Sequence, residues 1–289
     1  MIDEMDDRES LLAYVWYVLR GNPLSLVGAL LVMIFVVAAI FAPLIAPYGA
    51  TVPMVSERLQ PPSWSHLMGT DHLGMDIFSR VVFAARVDLF IVIGGVLLAM
   101  VVGVPLGAIL GYSRPLVDEV SMRIFDGIND FPMLILSQSF AAALGRGIQN
   151  VVLVVAFVNF SVYLRVVRGQ FLSLRQKQFT EAARCVGNSA PRIMFKHLLP
   201  NAIGPVVVLA CLNSAWTILM ASSLSFLGVG VPLPTPEWGL MVSTGTRYIV
   251  SGEWWISFFP GLAIALVVLG FNLMGDSLED ILDPRRRFR

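Results

Sequence analysis

The chain has 289 residues, 56% hydrophobic and 14% charged, with Lys+Arg and Asp+Glu balanced at 20 each. Average soluble domains carry about 25% charged residues. This composition, with a mean hydropathy of +0.76, therefore excludes a soluble globular domain and fits one polytopic membrane domain. A net charge of zero gives no basic field for nucleic acid, and Cys185 and Cys211 form neither a disulfide framework nor a CxxC metal site.

The N-terminus is acidic (Asp3, Glu4, Asp6, Asp7, Glu9) and lacks the basic opening of a secretory signal. Leu11, Leu12, Val15, Val18 and Leu19 recur near a helical period, with Tyr14, Trp16 and Tyr17 between them. This predicts a helix lying in the membrane interface within residues 1–23, broken by Asn22-Pro23. Residues 24–289 are expected to form a single transmembrane domain.

A hydrocarbon core of about 30 Å takes about 20 apolar residues per helix. Uncharged runs at Leu24–Ala46, Leu89–Tyr112, Ile148–Leu164, Leu198–Pro236 and Trp254–Gly275 meet or approach that length. Phe131–Leu144 meets it if extended back to about Val120, which predicts six spans. One side then collects Arg8, Arg20, Arg114, Arg123, Arg165, Arg168, Arg175, Lys177, Arg184, Arg192, Lys196, Arg285, Arg286, Arg287 and Arg289. The other has only Arg58, Arg80, Arg86, Arg146 and Arg247. The positive-inside rule puts both termini in the cytoplasm and the loops Pro47–Ala85 and Val229–Glu253 outside.

Between the fourth and fifth spans lies a polar, basic segment, about 168–200. Gln178–Val186 holds good helix formers, and Gly187 supplies a C-terminal stop. A second helical stretch follows, Arg192–Leu199, before Pro200. Glu181 suits the first turn, Arg184 lies one turn on, and small Ala182 and Ala183 permit close approach of a partner.

Glu181-Ala-Ala-x-x-x-Gly187 with Leu199-Pro200 in register resembles the signature of permease subunits of bacterial ATP-driven importers. The resemblance implies an all-α, type I ABC importer permease fold of six transmembrane helices, with this segment as a cytoplasmic coupling helix docked on an ATPase. Glu181, Ala182, Ala183, Arg184, Gly187, His197, Leu199 and Pro200 would take the coupling roles. Further stretches resemble the dipeptide/oligopeptide/nickel permease branch, in the partner with the shorter first outer loop. These are Phe41-Ala-Pro-Leu-Ile-Ala-Pro-Tyr48, Leu67-Met-Gly-Thr-Asp71 through Asp76, Ser225-Phe-Leu-Gly-Val-Gly230, Pro234-Thr-Pro-Glu-Trp-Gly239 and Asn272-Leu-Met-Gly-Asp276. Met75 in place of a usual Arg, Asn129 and Asp130 before Pro132, and Glu279 depart from the branch pattern. The resemblance implies a second homologous permease, two ATP-binding subunits that hold ATP and Mg, an extracytoplasmic substrate-binding protein, and a place in the bacterial cytoplasmic (inner) membrane.

Other residues carry expectations of their own. Asn213, Ser214, Thr217, Ser222 and Ser223 make the fifth span the most polar, so they are candidates for the translocation pathway or for interhelical hydrogen bonds. Asp126 and Asp130 are a candidate gate, or headgroup-level charges with Arg123 as partner. Asp71, Asp76, Glu237 and Trp238 are candidate contacts for the binding protein, Trp238 alternatively belonging to the interfacial aromatic belt. Gly103, Gly107 and Gly111 form overlapping GxxxG steps for helix packing, with Pro105 a candidate hinge. His66, His72, Asp71 and Asp76 have generic spacing, and no metal or cofactor site is assigned to this chain. No P-loop, HExxH or GxSxG sequence occurs, so no catalytic residue is assigned and ATP hydrolysis would belong to partner chains. The rival readings are a proton-coupled secondary transporter using Asp126 and Asp130, and a membrane-embedded enzyme.

Overall fold

Pro23, which suits a first helical turn because its missing N–H needs no partner there, opens α1 (Pro23–Ile45) in a computed structural model that describes residues 23–282. The expected interfacial helix and the basic C-terminal run lie outside the described residues. α1 kinks at Phe41, just ahead of Pro43. A loop with one 3-10 turn, Val55–Glu57, leads to α2 (Ile77–Tyr112). α3 (Pro115–Asn129), α4 (Met133–Leu144) and α5 (Ile148–Leu174) follow. The short α6 (Gln178–Cys185) precedes α7 (Ala190–Phe226), α8 (Trp238–Gly245) and α9 (Trp255–Leu282). Among the described residues the sole β pairing is an isolated bridge between Thr70 and Asp76.

The protein is all-α, and among the described residues five helices are long and apolar enough to cross a membrane: α1, α2, α5, α7 and α9. The expected third span is not one helix. α3 stops at Asn129 and α4 starts at Met133. Pro132 lacks an N–H and disfavours helical backbone at Phe131, so the chain breaks between them. α2 is also longer than its uncharged run: it begins at Ile77, and Arg80 and Asp88 are buried within its first turns. At 36 residues it is about 54 Å long. α7 ends at Phe226, ahead of the proline-rich loop that the apolar run had included.

α2 and α5 pack most extensively, through the predicted glycine stripe. A Cβ on Gly107 would meet the Leu164 carbonyl oxygen at 2.5 Å, and one on Gly111 would meet the Phe171 Cβ at 2.6 Å. The stripe therefore brings two backbones together. α2 runs on through Pro105 as one helix.

In α7, Ile193–Leu198 is π-helical, with the Leu199 N–H bonded to the Met194 carbonyl, just before Pro200 removes a donor. At one end of the array, called here the loop end, a core of Ile77, Val81, Trp238, Met241, Trp255 and Ile256 joins α2, α8 and α9. At the other, arginine-rich end, Tyr163, Val167, Phe171, Ala183, Ile193 and Leu198 join α5, α6 and α7. Many large apolar side chains of α1 and α3 are exposed, among them Leu30, Met33, Ile40, Leu116 and Ile124, as expected where lipid or another helix replaces water.

Candidate functional site

α6 is held at the arginine-rich end by a few specific contacts. The Thr180 hydroxyl, fully buried, donates to the Leu174 carbonyl at 2.8 Å. Ala183 packs into the core with Phe171, Ile193, Met194 and Leu198. Gly187, at φ +84°, ends the helix: its N–H reaches the Arg184 carbonyl (2.9 Å), and the Asn188 N–H reaches the Ala183 carbonyl (3.2 Å). This is a Schellman stop, which a residue with a side chain adopts at a cost.

The two alanines of the motif face opposite ways. Ala182 is exposed beside Glu181, whereas Ala183 is buried in the chain's own core, so only Ala182 offers close approach to a partner. Arg184 does not pair with Glu181. Its guanidinium lies 5.6 Å from the Tyr112 ring, tying α6 to the end of α2. Arg175 reinforces that junction by donating to the Gly111 carbonyl at 3.3 Å. His197 and Leu199 are half-buried and Pro200 is exposed. The His197 carbonyl accepts from Asn201 at 2.6 Å. Phe179, Val186 and Phe195 are exposed apolar side chains of this end, and Glu181 is exposed as well.

The polar stretch of α7 divides in two. Asn213 donates to the Tyr163 hydroxyl (3.1 Å), and Thr217 accepts from Asn159 of α5 (3.5 Å), so these residues make interhelical bonds. Ser214 bonds back to the Ala210 carbonyl within its own helix (2.7 Å). Ser222 and Ser223 instead line a cavity of about 340 Å³ with Leu134, Leu219, Gly239 and Val242. Ser223 bonds back to the Leu219 carbonyl (2.7 Å). The Ser222 hydroxyl, buried, has no hydrogen-bond partner among the described residues.

The four residues expected to contact a binding protein are all buried and present no surface. Asp76 caps α2 through the Ser79 N–H (2.8 Å) and also accepts from the Ser79 hydroxyl (2.7 Å). Asp71 accepts the N–H groups of Leu73 and Met75 and faces Arg80 at 3.8 Å. Glu237 caps α8 through the N–H groups of Gly239 (2.9 Å) and Leu240 (2.7 Å). Trp238 donates its indole N–H to the Val81 carbonyl at 3.1 Å, deep in the core rather than in an interfacial belt. Asp76 and Glu237 cap helices and Asp71 ties up its own loop, so these acids are spent on the chain's own backbone. Arg80 donates to the Ala50 carbonyl (2.9 Å) and lies 3.0 Å from the Met75 sulfur, at the position where Met replaces the usual Arg.

Asp126 and Asp130 are both exposed and share no site. Asp126 pairs with Arg165 of α5 at 2.7 Å, and Arg123 pairs with Glu119 instead, at 3.0 Å. Asp130 terminates α3. Among the described residues no group of three His, Cys, Asp or Glu is arranged to hold a metal ion.

Sequence reasoning missed several contacts, and it had weighed His66 only as a metal ligand. His66 stands between Asp76 (2.9 Å) and Glu57 (3.0 Å). Asp118 takes a two-pronged bond from Arg168, 2.7 Å at Nη2. Asp88 receives the Trp238 N–H at 3.1 Å. Asp88 carried a signal, an acid directly abutting a long apolar run.

Packed apolar helices of spanning length, with a short polar helix held at one end, define a multi-pass membrane protein. Residues 103–288 match the family of the inner membrane component of binding-protein-dependent transport systems, and the chain belongs to that family. Residues 10–62 match the N-terminal transmembrane domain of oligopeptide transport permease C. Among its relatives is a dipeptide transport system permease protein of Alkalihalophilus pseudofirmus, 42% identical over 93% of this chain and 88% of that protein. A probable D,D-dipeptide transport system permease protein of Escherichia coli is 38% identical over 94% and 90%. A glutathione transport system permease protein of Escherichia coli is 40% identical over 93% and 89%.

Proposed function

We propose that this chain is the membrane-spanning permease subunit of an ATP-driven importer that brings dipeptides or short oligopeptides into the cell. The observation that carries the reading is α6: a short helix that exposes Glu181 and Ala182 while Thr180, Ala183 and Arg184 fasten it to α2, α5 and α7. A partner that pushes on such a helix moves the spans behind it. The relatives whose names specify dipeptides, D,D-dipeptides or glutathione support a peptide cargo.

On this reading two ATP-binding subunits dock at α6 and perform the hydrolysis, with ATP and Mg on those chains. A second, homologous permease completes the pathway, and an extracytoplasmic binding protein delivers the substrate. The arginine-rich end faces the cytoplasm of a bacterial cell, in the cytoplasmic membrane, as the Lys and Arg distribution favours. The cavity at Ser222 and Ser223 is the candidate stretch of the pathway. Asp126, paired with Arg165 and exposed, gives a proton relay no support. A nickel or other small-solute cargo would leave the coupling machinery unchanged.

Glu181→Lys in the full transporter tests the coupling role. Membrane insertion and assembly should persist while ATP-dependent peptide uptake in proteoliposomes is lost. Unchanged uptake overturns the role of α6.

A further inference from the structure

Two of the cavities among the helices differ in their linings. One, about 430 Å³, lies between α1 and α2 and is lined by apolar residues throughout, among them Leu30, Met33, Phe35 and Val81. A lipid acyl chain, as apolar as these side chains, satisfies such a surface completely. The other, about 340 Å³, is bounded by α4, α7, α8 and α9. Leu134, Leu219, Phe226 and Leu227 on its lining are exposed, so it is open on one side. Ser222 also lines it and is only 7% exposed. None of its lining residues is titratable.

Serines in these helices have an acceptor at hand in the carbonyl four residues back. Ser214 and Ser223 of α7 donate to it at 2.7 Å, and so do Ser137 of α4 (2.7 Å) and Ser277 of α9 (2.6 Å). Ser222 does not: its buried hydroxyl has no hydrogen-bond partner among the described residues. A buried hydroxyl left unpaired costs stability, and an acyl chain brings it neither donor nor acceptor. Gly239 of α8 packs on the Ser222 backbone so closely that an added Cβ would overlap the Ser222 carbonyl. Two helices therefore fix this wall of the cavity.

We propose that the cavity is a resting subsite for the peptide cargo, in which an uncharged side chain sits among Leu134, Leu219, Phe226 and Val242 and the Ser222 hydroxyl bonds the adjacent peptide group. A hydroxyl both donates and accepts, so it meets an amide N–H or C=O. A charged side chain would lose hydration there with no counter-charge to replace it. The subsite rests on the transport reading and adds to it that the permease itself selects against charge.

The test is photo-crosslinking of the full transporter, purified with its partner chains and held in lipid, by the dipeptide alanyl-benzoylphenylalanine. Adducts mapped by mass spectrometry should fall on Leu134 or within residues 219–227, and alanyl-phenylalanine should compete for them at least tenfold better than alanyl-lysine. Ser222→Ala should lower the adduct yield at subsaturating probe by roughly two- to tenfold, the worth of one hydrogen bond. Its melting temperature should not fall, because the hydroxyl it removes has no partner in the chain. Adducts elsewhere, a lipid occupying the cavity with no adduct, equal competition by alanyl-lysine, or an unchanged yield in Ser222→Ala each overturn the subsite. If the transport reading alone fails, the adducts form as expected but wild-type proteoliposomes show no ATP-dependent uptake.

Discussion

At the loop end, Asp71, Asp76, Arg80, His66 and Glu237 are buried and bonded to the chain's own backbone or to one another. At the arginine-rich end, Glu181, Ala182, Arg192 and Lys196 are exposed, and so are Phe179, Val186 and Phe195. Both ends are rich in charge and turn residues, yet one closes on itself and the other is left open. A buried polar group must be satisfied locally or it costs stability. Exposed charge carries no such demand and is free for a partner. Substitutions at the loop end should therefore read out as stability, and those at the arginine-rich end as coupling.

The largest stability effect is expected from Asp76→Ala. It removes the α2 cap and one of the two carboxylates at buried His66. A loss of about 2–4 kcal/mol should appear as lower thermal stability of the full chain in detergent. A change under about 0.5 kcal/mol would mean that this end is not held by its buried charges.

An intermediate effect is expected from Gly187→Ala. A Cβ there meets nothing within 4 Å, so the cost is the positive φ alone, about 1–2 kcal/mol. Because α6 is only eight residues long, that cost should fray the helix locally rather than unfold the chain. Faster amide exchange over Gln178–Cys185, with global melting little changed, is the expected pattern. Equal loss of protection in α2 and α5 would show that α6 is an integral part of the core.

The difference between the ends also decides what could be read from sequence. The apolar runs of α1, α5 and α9, the glycine stripe and the Gly187 stop were legible because each depends on local composition or on a backbone angle. The first turns of α2 were not, since Arg80 and Asp88 become tolerable in a buried helix only once the loop and α8 fold over them. The break at Pro132 was missed because the short apolar run Phe131–Leu144 was extended back through polar residues to about Val120 to reach spanning length. The acids of the loop end were misassigned because a cap and a docking contact have the same residue types. The burial of Ala183 was not legible because the motif's spacing does not say which face of α6 is covered.

The smallest effect is expected from Asp126→Asn. The Arg165–Asp126 bond is short at 2.7 Å, but the side chains keep 44% and 56% of their exposure. Water and salt screen such a pair, and one held in solvent contributes within about 1 kcal/mol. The bond nevertheless joins α3 to α5, and α3 carries the exposed face of Leu116, Val120 and Ile124. A negligible change in melting, combined with normal uptake, would place Asp126 with the open, non-structural charge of this end and outside any gate. A large uptake loss without a stability loss would instead restore it as a gate, acting through its tie to Arg165.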